Sequence, residues 1–165
     1  MAPGLFTPAP AHASADIAAP IGTVWQVVTD IGRYGEWNPF VTGIDGPVGR
    51  PARVGDDLRL HVRWRTGSTT RTTERVTRLD PPADGRAFFA YAYRGPIAAF
   101  GLVRGLREQR LAATPGGTRY ETTEALHGLL VRFAPLRLVQ DGLQRHAAAL
   151  KTRAEALHEA GPRPQ

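Results

Sequence analysis

Two glutamates carry most of the chemistry this sequence could do. Over 70–76 the residues alternate, Val76 marks the apolar face, and Thr70, Thr72 and Glu74 share its parity. Over 120–126, Leu126 does the same for Tyr120, Thr122 and Glu124. Over 107–113, Leu111 takes Gln109 and Arg107 inward with it, unless a bulge at Gly101 or Gly105 shifts the register at Arg107. Ionised carboxylates are rarely left inside a fold without a partner. Inward Glu74 and Glu124 therefore have two explanations. In the first they pair with Arg107, or meet water, and only hold shape. In the second a carboxyl with a raised pKa moves protons or grips a ligand hydroxyl. Glu124 would then remove or return a proton, while Tyr120, with Arg107, stabilises a developing enolate or alkoxide.

His146 lies three residues after Leu143 and four before Leu150, on or beside an apolar helix stripe. It reads either as a hydrogen-bonded core residue or as a reserve acid–base group, as does Glu74. No His/Asp/Glu set has metal-ligand spacing, so no metal is expected. The absence of cysteine excludes disulfides, thiolate metal sites and cysteine nucleophiles. There is no nucleophile elbow, and 101–105 is too poor a glycine loop to cradle phosphate. No cofactor is expected.

The elements that must position these residues follow from the patterning. A first strand is expected over 11–19, with Ala13, Ala15 and Ile17 alternating against Ser14 and Asp16. Pro20 suits a first helical turn, Val24, Trp25, Val27 and Val28 form a stripe, and Gly32 and Gly35 break it. Strands are expected near 40–45, 57–66, 69–79, 86–94, 100–114 and 117–127, with turns at Gly46-Pro47, Gly67-Ser68, Pro81-Pro82, Gly95-Pro96 and Gly116-Gly117. The inner faces carry Leu58, Leu60, Val62 and Trp64, and then Phe89, Tyr91 and Tyr93. A helix over 136–159 repeats Leu136, Val139, Leu143, Leu150, Ala154 and Leu157 along one face, and it is the one long helix able to cover such a sheet. A single domain over 11–160 is expected, with loose ends at 1–10 and 161–165.

Several local motifs fall in the same order. They are Asp16-Ile17-Ala18-Ala19-Pro20, Val24-Trp25, Thr29-Asp30-Ile31 and Tyr34 with Glu36-Trp37-Asn38-Pro39-Phe40. Then come Gly117-Thr118-Arg119-Tyr120 with Glu124 and Gly128-Leu129-Leu130, and finally Leu150-Lys151-Thr152-Arg153-Ala154-Glu155. In these the chain resembles the START/Bet v 1-like (SRPBCC) superfamily, in its bacterial polyketide cyclase/dehydrase-like branch. The resemblance implies an α+β helix-grip fold: a curved seven-stranded antiparallel sheet wrapped around a long C-terminal helix, with two short helices after strand 1. It also implies a deep apolar cavity between sheet and helix. Many relatives carry histidine where this chain has Gln109, which removes that group from any chemistry here. Expected ligand contacts are Trp37, Asn38, Phe40, Trp64, Phe89, Tyr91, Arg107, Gln109 and Leu143. For Trp37 and Asn38 the competing roles are a lid over the core and a cap on neighbouring backbone.

The chain has 165 residues, 42% of them hydrophobic and 22% charged, which is ordinary globular usage. Its net charge of +6 comes from 21 cations, all but Lys151 arginine and without a like-charge block, so nucleic-acid binding is not expected. Arg59, Arg63, Arg65, Arg71 and Arg75 share outward parity: a solvated face, or a dock for an acidic acyl carrier protein. A homodimer is left open. No apolar run could span a bilayer, no secretory signal is evident, and a cytoplasmic location is the default. Two functions fit. One is a cofactor-independent cyclase or aromatase-dehydratase acting on a polyketide-like substrate. The other is a non-catalytic carrier, sensor or self-resistance protein for a hydrophobic ligand.

Overall fold

Alternating residues with an apolar side need a cover. In this chain the long C-terminal helix supplies most of it, with the first helix packed beside it on the same sheet. The structure, a computed structural model, describes residues 8–47 and 49–161. Of the expected loose ends, 1–7 and 162–165 lie outside the described residues. The chain forms β1 (Ala11–Ile17), α1 (Ile21–Thr29), a 3-10 helix (Ile31–Glu36), β2 (Val41–Asp45), β3 (Asp57–Arg63) and β4 (Thr69–Ala83). It continues with β5 (Arg86–Arg94), α2 (Pro96–Ala99), β6 (Arg104–Thr114), β7 (Gly117–His127), a 3-10 turn (Val131–Phe133) and α3 (Leu136–Glu159). All neighbouring strands are antiparallel, in the order β1-β7-β6-β5-β4-β3-β2. This is the helix-grip arrangement.

α3 does more than fill the curve of the sheet. Its side chains satisfy backbone groups of the edge strand β1, which would otherwise be an open ladder. Gln140 accepts from the His12 amide at 2.9 Å and donates to its carbonyl at 2.6 Å. Lys151 donates to the Asp16 carbonyl (2.6 Å), and Glu155 accepts from the Ala18 amide (2.8 Å). On the other flank Arg145 reaches the carbonyls of Pro39 and Arg63 at 3.0 and 3.2 Å. Between these ties Val139, Leu143, His146, Ala147, Leu150 and Ala154 are buried. Complete burial of Leu143 and Leu150 alone is worth roughly 2 kcal/mol each by area.

Four strand boundaries differ from expectation. β1 stops at Ile17, because Pro20 already sets up α1. β3 ends at Arg63 rather than at 66, because the chain already turns at Trp64–Gly67, where the Gly67 amide donates to the Trp64 carbonyl. β4 runs through Pro81-Pro82 to Ala83, and the chain turns at Asp84-Gly85, with φ of 49° and 72°. Pairing with β5 jumps from Asp80 to Ala83, so the two prolines occupy an irregularity that needs no ladder amide. Residues 100–103 are loop rather than strand, since Pro96 opens the short helix α2 before β6 begins.

Candidate functional site

The inner face of the sheet carries polar groups at two depths. Nearer the loops lies a cavity of about 220 Å³ bounded by β2–β7 and the start of α3. Phe40, Trp64, Thr72, Glu74, Tyr91, Arg107 and Glu124 line it, with Val103, Ala134, Pro135 and Val139 at the loop end. Deeper, beyond the cavity wall, lie Tyr34, Asn38, Gln109, Tyr120 and His146, all buried. A wider depression of about 670 Å³ between α1 and β2 is an outer groove; of its charged residues Asp30, Asp45 and Arg50, Arg50 is already paired with Asp56 and Asp45 with His61.

Strand parity puts Arg107 opposite Glu124 across β6 and β7, and no bulge intervenes. Arg107 is buried yet makes no ion pair among the described residues. Its Nε donates a long bond, 3.3 Å, to the Thr122 hydroxyl, and its Nη2 has no partner. Burial opposes its charge, but the surrounding Tyr91, Tyr120 and Glu124 outweigh that, and the guanidinium stays protonated. The Tyr91 hydroxyl, also buried, is likewise without a partner.

Burial pushes the Glu124 carboxyl up to about 7, against the pull of the Arg107 charge. Glu74 rises to about 8, first through burial and then through the like charge of Glu124; Thr72 and Arg107 pull the other way. Both side chains count as half-buried by surface area, yet each sits within the cavity rather than on open surface, so desolvation governs. Gly105 makes the room for this. A Cβ there would stand 3.0 Å from Glu124 Oε1 and 3.0 Å from Leu126.

The deeper tier is held by its own bonds. Asn38 Oδ1 accepts from the amides of Phe40 and Val41, both at 3.0 Å. That fixes the amide's orientation, so its Nδ2 donates to His146 Nδ1 at 2.7 Å. His146 is therefore the neutral tautomer protonated on Nε2, which has no partner. Burial first, and the Arg107 charge second, hold its pKa well below the usual imidazole value. The ring stacks on Tyr120 at 6.0 Å and meets the edge of Trp37 at 5.3 Å. Tyr120 donates to Gln109 Oε1 at 2.7 Å, leaving Gln109 Nε2 free.

Measured against the expected site, the structure brings Glu74, Glu124, Phe40, Trp64, Tyr91 and Arg107 to the cavity. It leaves Tyr120, His146, Asn38, Gln109, Phe89, Leu143 and Trp37 off its wall. Tyr120, Gln109 and Phe89 face inward as expected but sit further from the loop end than Glu124, Arg107 and Tyr91. Leu143 is core, and Val139, one turn earlier, lines the cavity instead. Trp37 packs on Tyr34 at 4.9 Å and lines a separate surface depression with Arg153 and Leu157. Val103, Ala134 and Pro135 were not foreseen; they come from loops, where parity has nothing to say. Of the outward arginines, Arg65 and Arg75 are engaged with Asp141 and Asp57. Among the described residues no cluster of three metal-type ligands occurs, and no helix is long and apolar enough to cross a membrane.

A curved sheet gripping one helix over an apolar cavity is the START/Bet v 1-like helix-grip fold. The family profile described as "Polyketide cyclase / dehydrase and lipid transport" matches residues 9–155, and the chain belongs to that family. No curated protein sequence matches it. Solved structures share the fold at low identity. The Zhui aromatase/cyclase from Streptomyces sp. R1128 superposes with a TM-score of 0.69 at 18% identity, covering 89% of this chain and 93% of that one. Major latex-like protein 151 from Panax ginseng gives 0.68 at 16%, over 94% and 99%. A START superfamily protein from Mycobacterium smegmatis gives 0.62 at 21%, over 89% and 97%. Family and cavity together support a hydrophobic ligand-binding role.

Proposed function

We propose that the protein binds a compact apolar molecule by a carbonyl-type oxygen and acts on it as a cofactor-independent cyclase or dehydratase. The observation that carries this is Arg107: a buried guanidinium with a free Nη2, facing a cavity whose two carboxyls titrate near neutrality. An unpaired buried cation is costly, and a ligand oxygen supplies the missing partner. Glu124, ionised in part near pH 7, takes a proton from the carbon beside the carbonyl. The electron pair moves to the oxygen, where Arg107 and the Tyr91 hydroxyl stabilise it. The resulting carbanion attacks a second carbonyl of the same chain, and Glu124 returns its proton to the new alkoxide. Glu124, ionised again, then takes the remaining proton from the carbon beside the carbonyl, and the C=C bond forms as the C–O bond breaks. Glu74, protonated at this pH, gives its proton to the departing hydroxide so that water leaves. The proton held by Glu124 passes to Glu74, restoring both carboxyls. No external oxidant, reductant or cofactor is consumed.

The cavity lies below the ~300–1,000 Å³ of ordinary ligand pockets. It takes one ring's worth of substrate, or the reacting end of a longer chain. That size, with Tyr120 and His146 off the wall, favours the second reading: a carrier or sequestering protein that returns its ligand unchanged. Turnover of a short poly-β-keto thioester, followed by mass spectrometry, decides between them. Glu124→Gln is expected to lower the rate about 100-fold, a common size for lost general acid–base catalysis, while leaving the fold intact. Substrate recovered unaltered from the wild-type protein, with binding intact, establishes the carrier reading.

A further inference from the structure

Six large hydrophobic residues are exposed among the described residues, and five of them lie on two loops. Ile97 and Phe100 stand on the β5–β6 connection; Leu129, Leu130 and Phe133 stand on the β7–α3 connection. Phe100 is 80% exposed, Phe133 70% and Leu129 68%, which is open solvent rather than partial cover. The loops form one surface. Leu130 donates its amide to the Leu102 carbonyl at 2.8 Å, and Leu129 to that of Gly101 at 3.3 Å. Gly128 permits this contact, since a Cβ there would lie 2.6 Å from the Leu102 oxygen. The same loops supply Val103, Ala134 and Pro135 to the cavity, so the patch borders it.

The composition around the patch is one-sided. Residues 94–107 and 127–139 contain no acidic and no neutral hydrogen-bonding side chain; beyond glycine, proline and apolar residues they hold only arginines and His127. Arg104, Arg132 and Arg137 are exposed and join no ion pair among the described residues, whereas nine other arginines pair with a carboxylate. A protein partner is usually met with a mixed hydrogen-bonding rim. Protruding aromatic and aliphatic tips surrounded by cations alone match an acyl boundary beneath anionic headgroups.

We infer that these two loops dock the protein on an anionic phospholipid surface, with Phe100 and Phe133 inserted and Arg104, Arg132 and Arg137 on the phosphates. Docking sets the loop end of the cavity against the bilayer, so a hydrophobic ligand can pass between them without crossing water. The inference does not depend on catalysis by Glu124.

Co-sedimentation of the full chain with vesicles tests it. Vesicles of equal parts phosphatidylcholine and phosphatidylglycerol are expected to bind the protein, and pure phosphatidylcholine vesicles to bind it at least about tenfold more weakly, because the surface charge is gone. Phe100→Ala with Phe133→Ala is expected to weaken binding by roughly tenfold, since affinity follows buried apolar area. These rings are exposed, so the variant should fold, and its circular dichroism checks that. Arg132→Gln with Arg137→Gln should flatten the salt dependence. Failure to bind the phosphatidylglycerol vesicles overturns the inference, as does binding indifferent to both phenylalanines. If instead the double phenylalanine variant turns a solution dimer into a monomer, the patch is a self-interface and the membrane assignment is wrong. Preferential binding of a purified acidic acyl carrier protein over the vesicles overturns it in the same way.

Discussion

The two depths of polar groups under the sheet are built from similar side chains and behave in opposite ways. In the deeper tier each group has at least one short direct partner: Asn38 with His146, Tyr120 with Gln109, and Tyr34 with the Val28 carbonyl at 2.7 Å. In the cavity tier Arg107 has one long bond, Tyr91 has none, and Glu74 and Glu124 form no ion pair. The first arrangement locks a fold; under the proposed function the second is left for a ligand oxygen to complete. Partnering, more than residue type, separates scaffold from site.

Breaking the deeper tier should cost the most. Asn38→Ala strands two buried amides and the His146 ring nitrogen, and is expected to lower unfolding free energy by about 3 kcal/mol, measured by denaturant titration. A loss below about 1 kcal/mol would mean that water replaces it and the tier is not locked. The cavity tier should show itself through pH. Glu74 and Glu124 have folded pKa values raised from near 4.5 to about 8 and about 7. Their contribution is complete below about pH 4.5 and is lost as pH rises through those folded values. Thermal melts should therefore drop by several degrees from pH 5 to pH 8, and the Glu74→Gln/Glu124→Gln double variant should flatten the curve. A wild-type profile flat over that range would put both carboxyls in water. The smallest effect should have the opposite sign. Arg107→Met removes an unpaired buried charge and is expected to raise stability by roughly 1 kcal/mol while ligand affinity, read by calorimetry, is lost. Destabilisation by this variant would place Arg107 with the scaffold.

Face was legible in the sequence and depth was not. Period-two alternation assigned Glu74, Arg107, Gln109, Tyr120 and Glu124 to the inner surface, and the structure places all five there. Helix α3 has the bounds its pattern predicts, 136 and 159, with an apolar stripe running from Leu136 to Leu157. How far along a strand the cavity lies depends on sheet curvature and on where α3 crosses, and neither is encoded locally. Two-residue steps thus separate lining Arg107 from Gln109, and lining Tyr91 from Phe89. The Pro81-Pro82 pair misled for a similar reason: whether a proline ends a strand depends on whether its partner strand needs the missing amide. His146 reads from the sequence as either core or chemistry, and its bond to Asn38 is a tertiary fact that no spacing reveals.

Gly142 sits inside α3, where a glycine ordinarily weakens a helix by about 1 kcal/mol. Here the ring of Phe40 occupies the space a Cβ would need. Phe40 in turn forms part of the cavity wall, and Arg107 lies 5.9 Å over its ring. Position 142 thus acts as a set screw for the bore of the cavity. A single added methyl on the far side of the ring would narrow the chamber without any lining residue being replaced, and a lineage could retune the ligand size it accepts from a site the ligand never touches.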